Sequence, residues 1–268
     1  MIIIGEKVNG FIPKTLAAIE ARDAAYIKKI VADQVASGAD YLDICAGVAP
    51  EHERETMEWL IGVVQEATEA PLCLDSSDPQ VLLDMMRLAA RPGLLNSVSR
   101  EEGKCEKVFP AIADTDWSVV ALTCNNDGIP DDPQVKLSIA REIIGLAREN
   151  GIADERLFID PLVTTLATKQ DSLTSFTEGI RLIRAEFPRV HFTSGLSNIS
   201  FGMPYRKAIN QQFLCLAMAA GMDSAIMDPT QAPLQAALYA TNALLGKDEY
   251  CMEYLQAYRN GTFGAKPS

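Results

Sequence analysis

Short apolar runs recur along the chain, and each is separated from the next by a longer segment that mixes apolar and polar residues. Such runs are typical of parallel strands that are buried on both faces. The predicted strands are Ile2–Ile4, Tyr41–Ile44, Leu72–Leu74, Leu94–Leu95, Val119–Leu122, Leu157–Ile159, His191–Thr193 and Ala225–Met227.

The segments between the runs have helical periodicity. In the first of them, Ile27, Ile30, Val31 and Val35 fall on one face of a helix, and the Ser37–Gly38 pair supplies a common helix C-terminus. The segments 135–149 and 207–220 follow the same pattern. The sequence therefore predicts strands that alternate with helices.

Eight such units fit either an open doubly wound sheet or a closed barrel. No GxGxxG or GxxxxGKS/T motif follows the early strands, which disfavours a nucleotide-binding open sheet, and the even spacing favours a barrel. We predict an α/β fold, a single-domain (β/α)8 TIM barrel over residues 1–258, followed by a frayed tail at 259–268.

Charge and hydropathy restrict the partners. The formal net charge is -12, which disfavours nucleic acid and anionic membrane surfaces. No apolar run approaches the roughly 18 residues that mark a membrane span, and the first residues lack the basic and apolar regions of a signal peptide. We expect a cytoplasmic protein with no nucleic-acid or membrane partner.

The cysteines and histidines do not predict a metal centre. None of the six cysteines forms a CxxC pair, and the two histidines, His52 and His191, lie far apart in the sequence. Zinc sites usually combine such residues at short spacings. We therefore expect no protein-bound metal.

Polar residues cluster where the predicted strands end, which is where barrel enzymes carry their chemistry. These residues are Glu6, Asn9, Asp43, Asp75, Asn96, Asp160, Ser197, Asn198 and Asp228. Each has a purely structural alternative: the Asp–Pro pairs at 160 and 228 are typical helix caps, the amides can bond turns, and Glu6 can pair with Lys7. Together they are costly to bury without a ligand.

A flat nitrogen heterocycle fits this set of groups. A carboxylate accepts two parallel N–H donors, and an amide matches an edge that both donates and accepts. A sugar phosphate would instead require backbone N–H groups or basic side chains. Few basic residues lie at these strand ends; the exceptions are Lys7, Arg206 and Lys207. The residues therefore favour a 2-amino-4-oxo ring.

The segments MIIIGEKVNG, LCLDSSDPQVL, LLNSVS, LFIDPLV and GLSNISFGMPYRKAIN carry a resemblance to a known family. Across essentially the whole chain, the sequence resembles the pterin-binding methyltransferases. Within that family, it is similar to the methyltetrahydrofolate:corrinoid-protein methyltransferases, which share the fold of the folate domain of cobalamin-dependent methionine synthase. The resemblance implies a pterin in the barrel mouth.

The resemblance also assigns roles to residues. It implies that Asp75, Asn96 and Asp160 bind the ring and that Asn198 approaches N5. Glu6, Asn9, Asp43 and Ser197 match family positions near the mouth. One position departs from the family pattern, because Cys45 stands where the family often has asparagine, and this leaves any contact made by that amide in doubt.

The implied reaction moves a methyl group between N5 of tetrahydrofolate or methyltetrahydrofolate and the cobalt of a corrinoid such as cobalamin, in a direction that the residues leave open. N5 needs a proton or a strong hydrogen bond in order to leave, and no histidine ends a predicted strand, so we assign that hydrogen bond to Asn198. The chain has no Asp-x-His-x-x-Gly corrinoid motif, so the corrinoid must reside on a transiently bound partner protein. The resemblance further implies a homodimer.

Three alternatives remain. A dihydropteroate synthase would share the fold, but its late Ser-Arg-Lys loop and closing Arg-Val-His motif are missing here. A non-catalytic pterin-binding subunit would lack the group at N5. A metal-dependent aldolase or lyase would use Glu6, Asp43, Asp75 and Asp160 as Mg²⁺ ligands and would be sensitive to chelators.

Overall fold

The computed structural model describes residues 1–264, which contain a single sheet of eight strands. All the strand pairs are parallel, in the order β7-β6-β5-β4-β3-β2-β1-β8. The strands are β1 Ile2–Asn9, β2 Tyr41–Cys45, β3 Leu72–Asp75, β4 Leu94–Arg100, β5 Ser118–Asn125, β6 Leu157–Asp160, β7 His191–Phe192 and β8 Ser224–Met227.

Backbone hydrogen bonds between β7 and β8 close the sheet on itself. The Ile226 amide donates to the Ser194 carbonyl at 3.0 Å, and the Asp223 amide donates to the Phe192 carbonyl at 3.3 Å. Closure removes the exposed sheet edges. The predicted (β/α)8 barrel is confirmed.

Helices follow the strands and form the outer layer. They are α1 Pro13–Glu20, α2 Ala24–Ala36, α3 Pro50–Gln65, α4 Pro79–Met86, α5 Lys104–Ile112, α6 Pro133–Glu149, α7 Ser172–Glu186, α8 Arg206–Ala220, α9 Ala232–Leu244 and α10 Met252–Arg259. Short 3-10 segments cover Asp154–Arg156, Leu196–Ser200 and Glu249–Cys251. The sequence did not predict α1, which is inserted before the helix that pairs with β1.

Several strands extend further towards their carboxyl ends than the apolar runs indicated. β1 continues to Asn9 and β4 to Arg100, and both continue past irregularities in the pairing register. The extension is physically reasonable because polar side chains at these ends can point into the barrel mouth while the backbone remains paired.

The outward faces of the strands pack against the helices in one large core. In α2, Ile27, Ile30 and Val31 are buried as predicted, but Val35 is 37% exposed, so its assignment to the buried face was wrong. Gln34 is buried instead, and its side-chain oxygen accepts a hydrogen bond from the Lys7 amide at 2.9 Å. A polar anchor to β1 therefore replaces the expected apolar contact.

The inward-facing side chains divide the barrel interior into two zones. Ile4, Cys73, Leu94, Val120 and Phe158 form a separate buried apolar cluster that fills the lower part of the barrel. Because side chains alternate along a strand, the next inward positions towards the carboxyl ends include Glu6, Asp75, Asn96 and Asp160. Apolar side chains therefore fill the deeper part of the barrel, and polar side chains line it at the carboxyl ends of the strands.

The C-terminal segment packs on the barrel as far as it is described. The Phe263 ring lies 5.9 Å from the Tyr239 ring and 5.1 Å from the Tyr254 ring, measured between centroids. The end of the predicted tail, 265–268, lies outside the described residues, so the boundary at 258 stays a prediction. No helix within residues 1–264 is long and apolar enough to cross a membrane.

Candidate active site

A cavity of about 700 Å³ opens at the carboxyl ends of the strands. The sequence-predicted site residues all line it; they are Glu6, Asn9, Asp43, Asp75, Asn96, Asp160, Ser197 and Asn198. Their chain positions span almost 200 residues, so the closed barrel is what brings them together. Whether they bind a pterin remains a prediction.

Strand register explains how the first four strands contribute. Asn9 is paired with Cys45, Cys45 with Asp75, and Asp75 with Asn96, so these residues form one row across β1 to β4. Asp43 is paired with Cys73 and lies one inward position deeper. The row therefore forms a rim of the cavity, and the Asp43 carboxyl group lies deeper in the barrel beneath this rim.

Asp75 and Cys45 interact within this row. Burial raises the pKa of Asp75 to about 6, although a hydrogen bond from Cys45 lowers it. Burial also raises the pKa of the Cys45 thiol, and the nearby Asp75 raises it further, so the thiol remains protonated and can donate. At the position where the family often has an amide, Cys45 thus supplies a hydrogen-bond donor to Asp75.

Asp43 is the most deeply buried of the carboxyl groups. Its side chain is 1% exposed, and its Oδ1 has no hydrogen-bond partner in the described part of the chain. Burial raises its pKa well above the ordinary value, and the neighbouring Asp75 raises it further. Its burial therefore favours the neutral form of Asp43, and a neutral carboxyl group can donate a hydrogen bond to a bound molecule.

Asp160 ends β6 and does not cap a helix. Its Oδ1 accepts the Leu162 amide at 2.8 Å, and the next helix, α7, begins only at Ser172. The capping alternative is therefore wrong for this residue. Burial raises its pKa to about 7, while the Leu162 hydrogen bond and the charge of Lys136 lower it. Its other oxygen is left for a ligand.

Glu6 and Asp228 interact through their charges, and their pKa values shift in opposite directions. Burial raises the pKa of Glu6 to about 7, and the charge of Asp228 raises it further. Burial also opposes ionisation of Asp228, but hydrogen bonds from Thr230 and the Lys7 ammonium, 3.3 Å away, outweigh it and lower its pKa. Since α9 begins at Ala232, Asp228 is not that helix's cap either.

Asn198 lies in the 3-10 segment Leu196–Ser200, at the exposed top of the cavity. A Cβ atom on Gly195 would come within 2.9 Å of the Asn198 amide nitrogen, so glycine at 195 leaves room for this side chain. The guanidinium of Arg206 donates to the Ser197 carbonyl at 2.8 Å and to the Ser200 hydroxyl at 3.0 Å. Arg206 therefore fixes the segment that carries Asn198.

Arg206 is the main site residue that the sequence analysis did not assign. It lines the cavity, lowers the pKa of Glu6 by its charge, and its guanidinium carbon lies 4.9 Å from the ring centroid of Phe201. Its place within the GLSNISFGMPYRKAIN segment, eight residues after Asn198, was the available signal. Phe11 and Phe201 also line the cavity and are largely exposed.

Asn9 and the histidines have more limited roles. The Asn9 side-chain oxygen accepts the Phe11 amide at 2.8 Å, which orients the side chain and leaves its NH₂ group free to donate to a ligand. His191 lies at the amino end of the barrel, as expected, where it bonds Asp223 at 3.1 Å, and His52 is exposed on α3. Within residues 1–264, no cluster of three or more His, Cys, Asp or Glu side chains could hold a metal ion.

Comparison with known proteins agrees with the cavity's position and composition. Residues 15–228 match the family described as pterin binding enzyme. The chain is 46% identical over 266 residues, 98% of each chain, to the methylcorrinoid:tetrahydrofolate methyltransferase of Eubacterium limosum. It is 31% identical over 240 residues to the methionine synthase of Mycobacterium tuberculosis, spanning 85% of this chain but 20% of that protein.

Solved structures support the fold alone. Dihydropteroate synthase from Xanthomonas albilineans, in complex with 7,8-dihydropteroate, has a TM-score of 0.66 and 24% identity, covering 91% of this chain and 92% of that one. The enzyme from Stenotrophomonas maltophilia has a TM-score of 0.65 and 21% identity over the same shares. The family match and the near full-length relative show that the chain belongs to the pterin-binding enzyme family.

Proposed function

We propose that this protein is a methyltransferase that moves a methyl group between the cobalt of a corrinoid protein and N5 of tetrahydrofolate. The observation that carries the proposal is the acidic and amide-rich cavity at the barrel mouth, where Asp75, Asn96, Asp160 and Asn198 face one space. The relative that matches 98% of the chain is named for the same pair of substrates.

The pterin ring fits the two sides of the cavity. Asp160 has one oxygen held by the Leu162 amide, and as a carboxylate it can accept the adjacent N–H and NH₂ donors of the ring's pyrimidine edge. Asp75 and Asn96 lie on neighbouring strands and face the remaining ring nitrogens. Asn198, at the outer end of the cavity, is positioned to hydrogen-bond N5 near solvent.

We propose transfer from the methylcorrinoid to tetrahydrofolate as the working direction, after the relative's name. N5 uses its lone pair to form a bond to the methyl carbon, and the cobalt–carbon bond breaks with its electron pair remaining on cobalt. The N5 proton is then released. The same residues serve the reverse reaction, since both directions share one transition state.

The direct test is spectroscopic. Purified protein is mixed with tetrahydrofolate and methylcobalamin, and loss of the methylcobalamin spectrum is followed with formation of methyltetrahydrofolate; methyltetrahydrofolate with cob(I)alamin tests the reverse. Asp75→Ala and Asp160→Ala serve as site variants. Absence of methyl transfer in both directions, with pyrophosphate release from a pterin pyrophosphate and p-aminobenzoate, would instead identify a dihydropteroate synthase. Folate binding without any turnover would identify a non-catalytic subunit.

We also propose that the protein is a homodimer located in the cytoplasm. An apolar groove of about 450 Å³ between α7 and α8 includes Leu173, Phe213 and the half-exposed Leu216, and it supports self-association. The cysteines are free, and four of the six are buried, which fits a reducing compartment. Light scattering of the wild type and of Leu216→Glu tests the dimer; a monomer in both would contradict it.

A further inference from the structure

Lys136 is a buried lysine beside the candidate site that no step above uses. It lies in the first turns of α6 and is 2% exposed, and its ammonium group donates to the Leu162 carbonyl at 3.0 Å. Burial lowers its pKa to about 8. An ammonium group is costly to remove from water, so its retention here calls for a compensating interaction.

Leu162 hydrogen-bonds both Lys136 and Asp160, and so it links the lysine to the candidate site. Leu162 accepts from Lys136 through its carbonyl and donates its own amide to Asp160 Oδ1 at 2.8 Å. Leu162 has a φ of 56°, in the left-handed region, which is unfavourable for leucine and must be imposed by its surroundings. The hydrogen bonds on both sides of Leu162 fix this conformation, and its side chain lines the cavity.

The packing around Lys136 leaves it little freedom. A Cβ atom on Gly179 of α7 would lie 3.4 Å from both Lys136 Cδ and Pro161 Cβ, so α7 passes close to the lysine stem and to the Asp160–Pro161 turn at this glycine. The aliphatic chain is thus enclosed, and the ammonium group is directed at the loop behind Asp160.

Charge acts in the same direction as the hydrogen bonds. The Lys136 charge favours the ionised form of Asp160, and Asp160 with Asp131 and Asp171 favours the charged form of Lys136, whereas Lys169 opposes it. These are the charged groups that face Lys136 from the loops before α6 and α7 and from β6. A carboxylate at 160 is the form that can accept two ring donors.

We propose that Lys136 is a positioning residue, which fixes the Leu162 loop and keeps Asp160 as an aligned carboxylate for the pyrimidine edge of the folate. This inference rests on the proposed function. It predicts that Lys136 affects folate affinity and its pH dependence, while the methyl-transfer step at N5 is little affected.

The test is tetrahydrofolate binding by calorimetry between pH 6 and 9 for the wild type and Lys136→Met, which keeps the stem and removes the charge and donor. We expect affinity at pH 7 to fall by about tenfold, and the acidic limb of the pH profile to move up by about one unit. The KM for tetrahydrofolate should rise with kcat nearly unchanged.

Lys169→Met is the matched control. Lys169 is a neighbouring positive charge that pairs with Asp131 and Asp171 and takes no part in the hydrogen bonds from Lys136 to Leu162 and from Leu162 to Asp160. Its loss should therefore leave the acidic limb in place. Lys136→Arg, which keeps the charge and can still donate to the carbonyl, should restore most of the affinity. If Lys136→Met does not fold, Lys136→Gln is measured in the same way.

An affinity for tetrahydrofolate that is unchanged in Lys136→Met, or that falls equally at every pH, would overturn this inference alone. The same is true if Lys169→Met shifts the limb as much as Lys136→Met does. A wild-type protein that binds no folate at any pH would overturn the proposed function as well.

Discussion

Replacing Asp160 by asparagine should stabilise the ligand-free protein and strongly weaken folate binding. The substitution keeps the shape, and the amide oxygen can still accept the Leu162 N–H. Burial raises the pKa of Asp160 from 3.8 to about 7, which corresponds to a penalty on the order of 4 kcal/mol for the charged form. Because the buried amide also needs partners, we expect a net gain of about 1–2 kcal/mol at pH 8.

The loss of binding should be much larger than this gain. A carboxylate that accepts two ring donors makes two charge-assisted hydrogen bonds, each worth roughly 1.5–3 kcal/mol. An asparagine would place its NH₂ group against one of those donors. A loss of at least about 3 kcal/mol follows, which is roughly a 100-fold weaker affinity for tetrahydrofolate.

Urea unfolding at pH 8 measures the first effect, and calorimetry with tetrahydrofolate measures the second. Asp154→Asn is the control, since Asp154 is equally buried but bonds the Arg148 guanidinium through both oxygens at 2.8 Å. That variant should lose stability and keep folate affinity. If Asp160→Asn is less stable than the wild type, or still binds folate with wild-type affinity, the account of Asp160 is wrong.

Three further predictions concern titration, the N5 contact and metals. Burial raises the pKa values of Glu6, Asp75 and Asp160, so these groups keep protons in the folded state that an unfolded chain releases above about pH 4.5. The free energy of unfolding should therefore fall as pH rises from about 5 to 7.5. Scanning calorimetry that shows a rise over this range would contradict the prediction. Asn198→Ala should keep folate affinity within about threefold but slow methyl transfer by about 100-fold in stopped-flow assays, and unchanged turnover would remove its assigned role. Dialysis against EDTA should leave folate binding and turnover unchanged, as measured by calorimetry and the methylcobalamin assay; a loss restored by Mg²⁺ would favour the metal-dependent alternative.

The strands and the candidate residues at their ends were predictable because both depend on local pattern. An aspartate that directly follows a buried run, as at 75 and 160, lies at the carboxyl end of its strand, where barrel enzymes place their active sites. The barrel was favoured over an open sheet by the even spacing of the strand–helix units and by the missing nucleotide-binding glycine motifs.

What the sequence did not show depends on contacts between distant residues. Lys136 and Leu162 are 26 positions apart, and nothing in the periodicity of α6 distinguishes this lysine from an exposed one. The helix caps failed for a related reason. An Asp–Pro pair is compatible with both a cap and a strand end, and only the position of the next helix, at Ser172 or Ala232, separates the two.

The buried carboxyl groups at the barrel mouth offer a proton-transfer group in a cavity whose lining, within residues 1–264, has no histidine. Methylation of tetrahydrofolate at N5 releases one proton, and a dedicated base would need a pKa near neutrality. Burial gives Glu6 a pKa of about 7, so a carboxyl group reaches the range that histidine has in water. The apolar cluster below and the helices outside stabilise the barrel independently of these acids. The fold can therefore tolerate the energetic cost of burying these carboxyl groups. A ligand that supplies N–H donors favours their ionised form, and this couples folate binding to proton release.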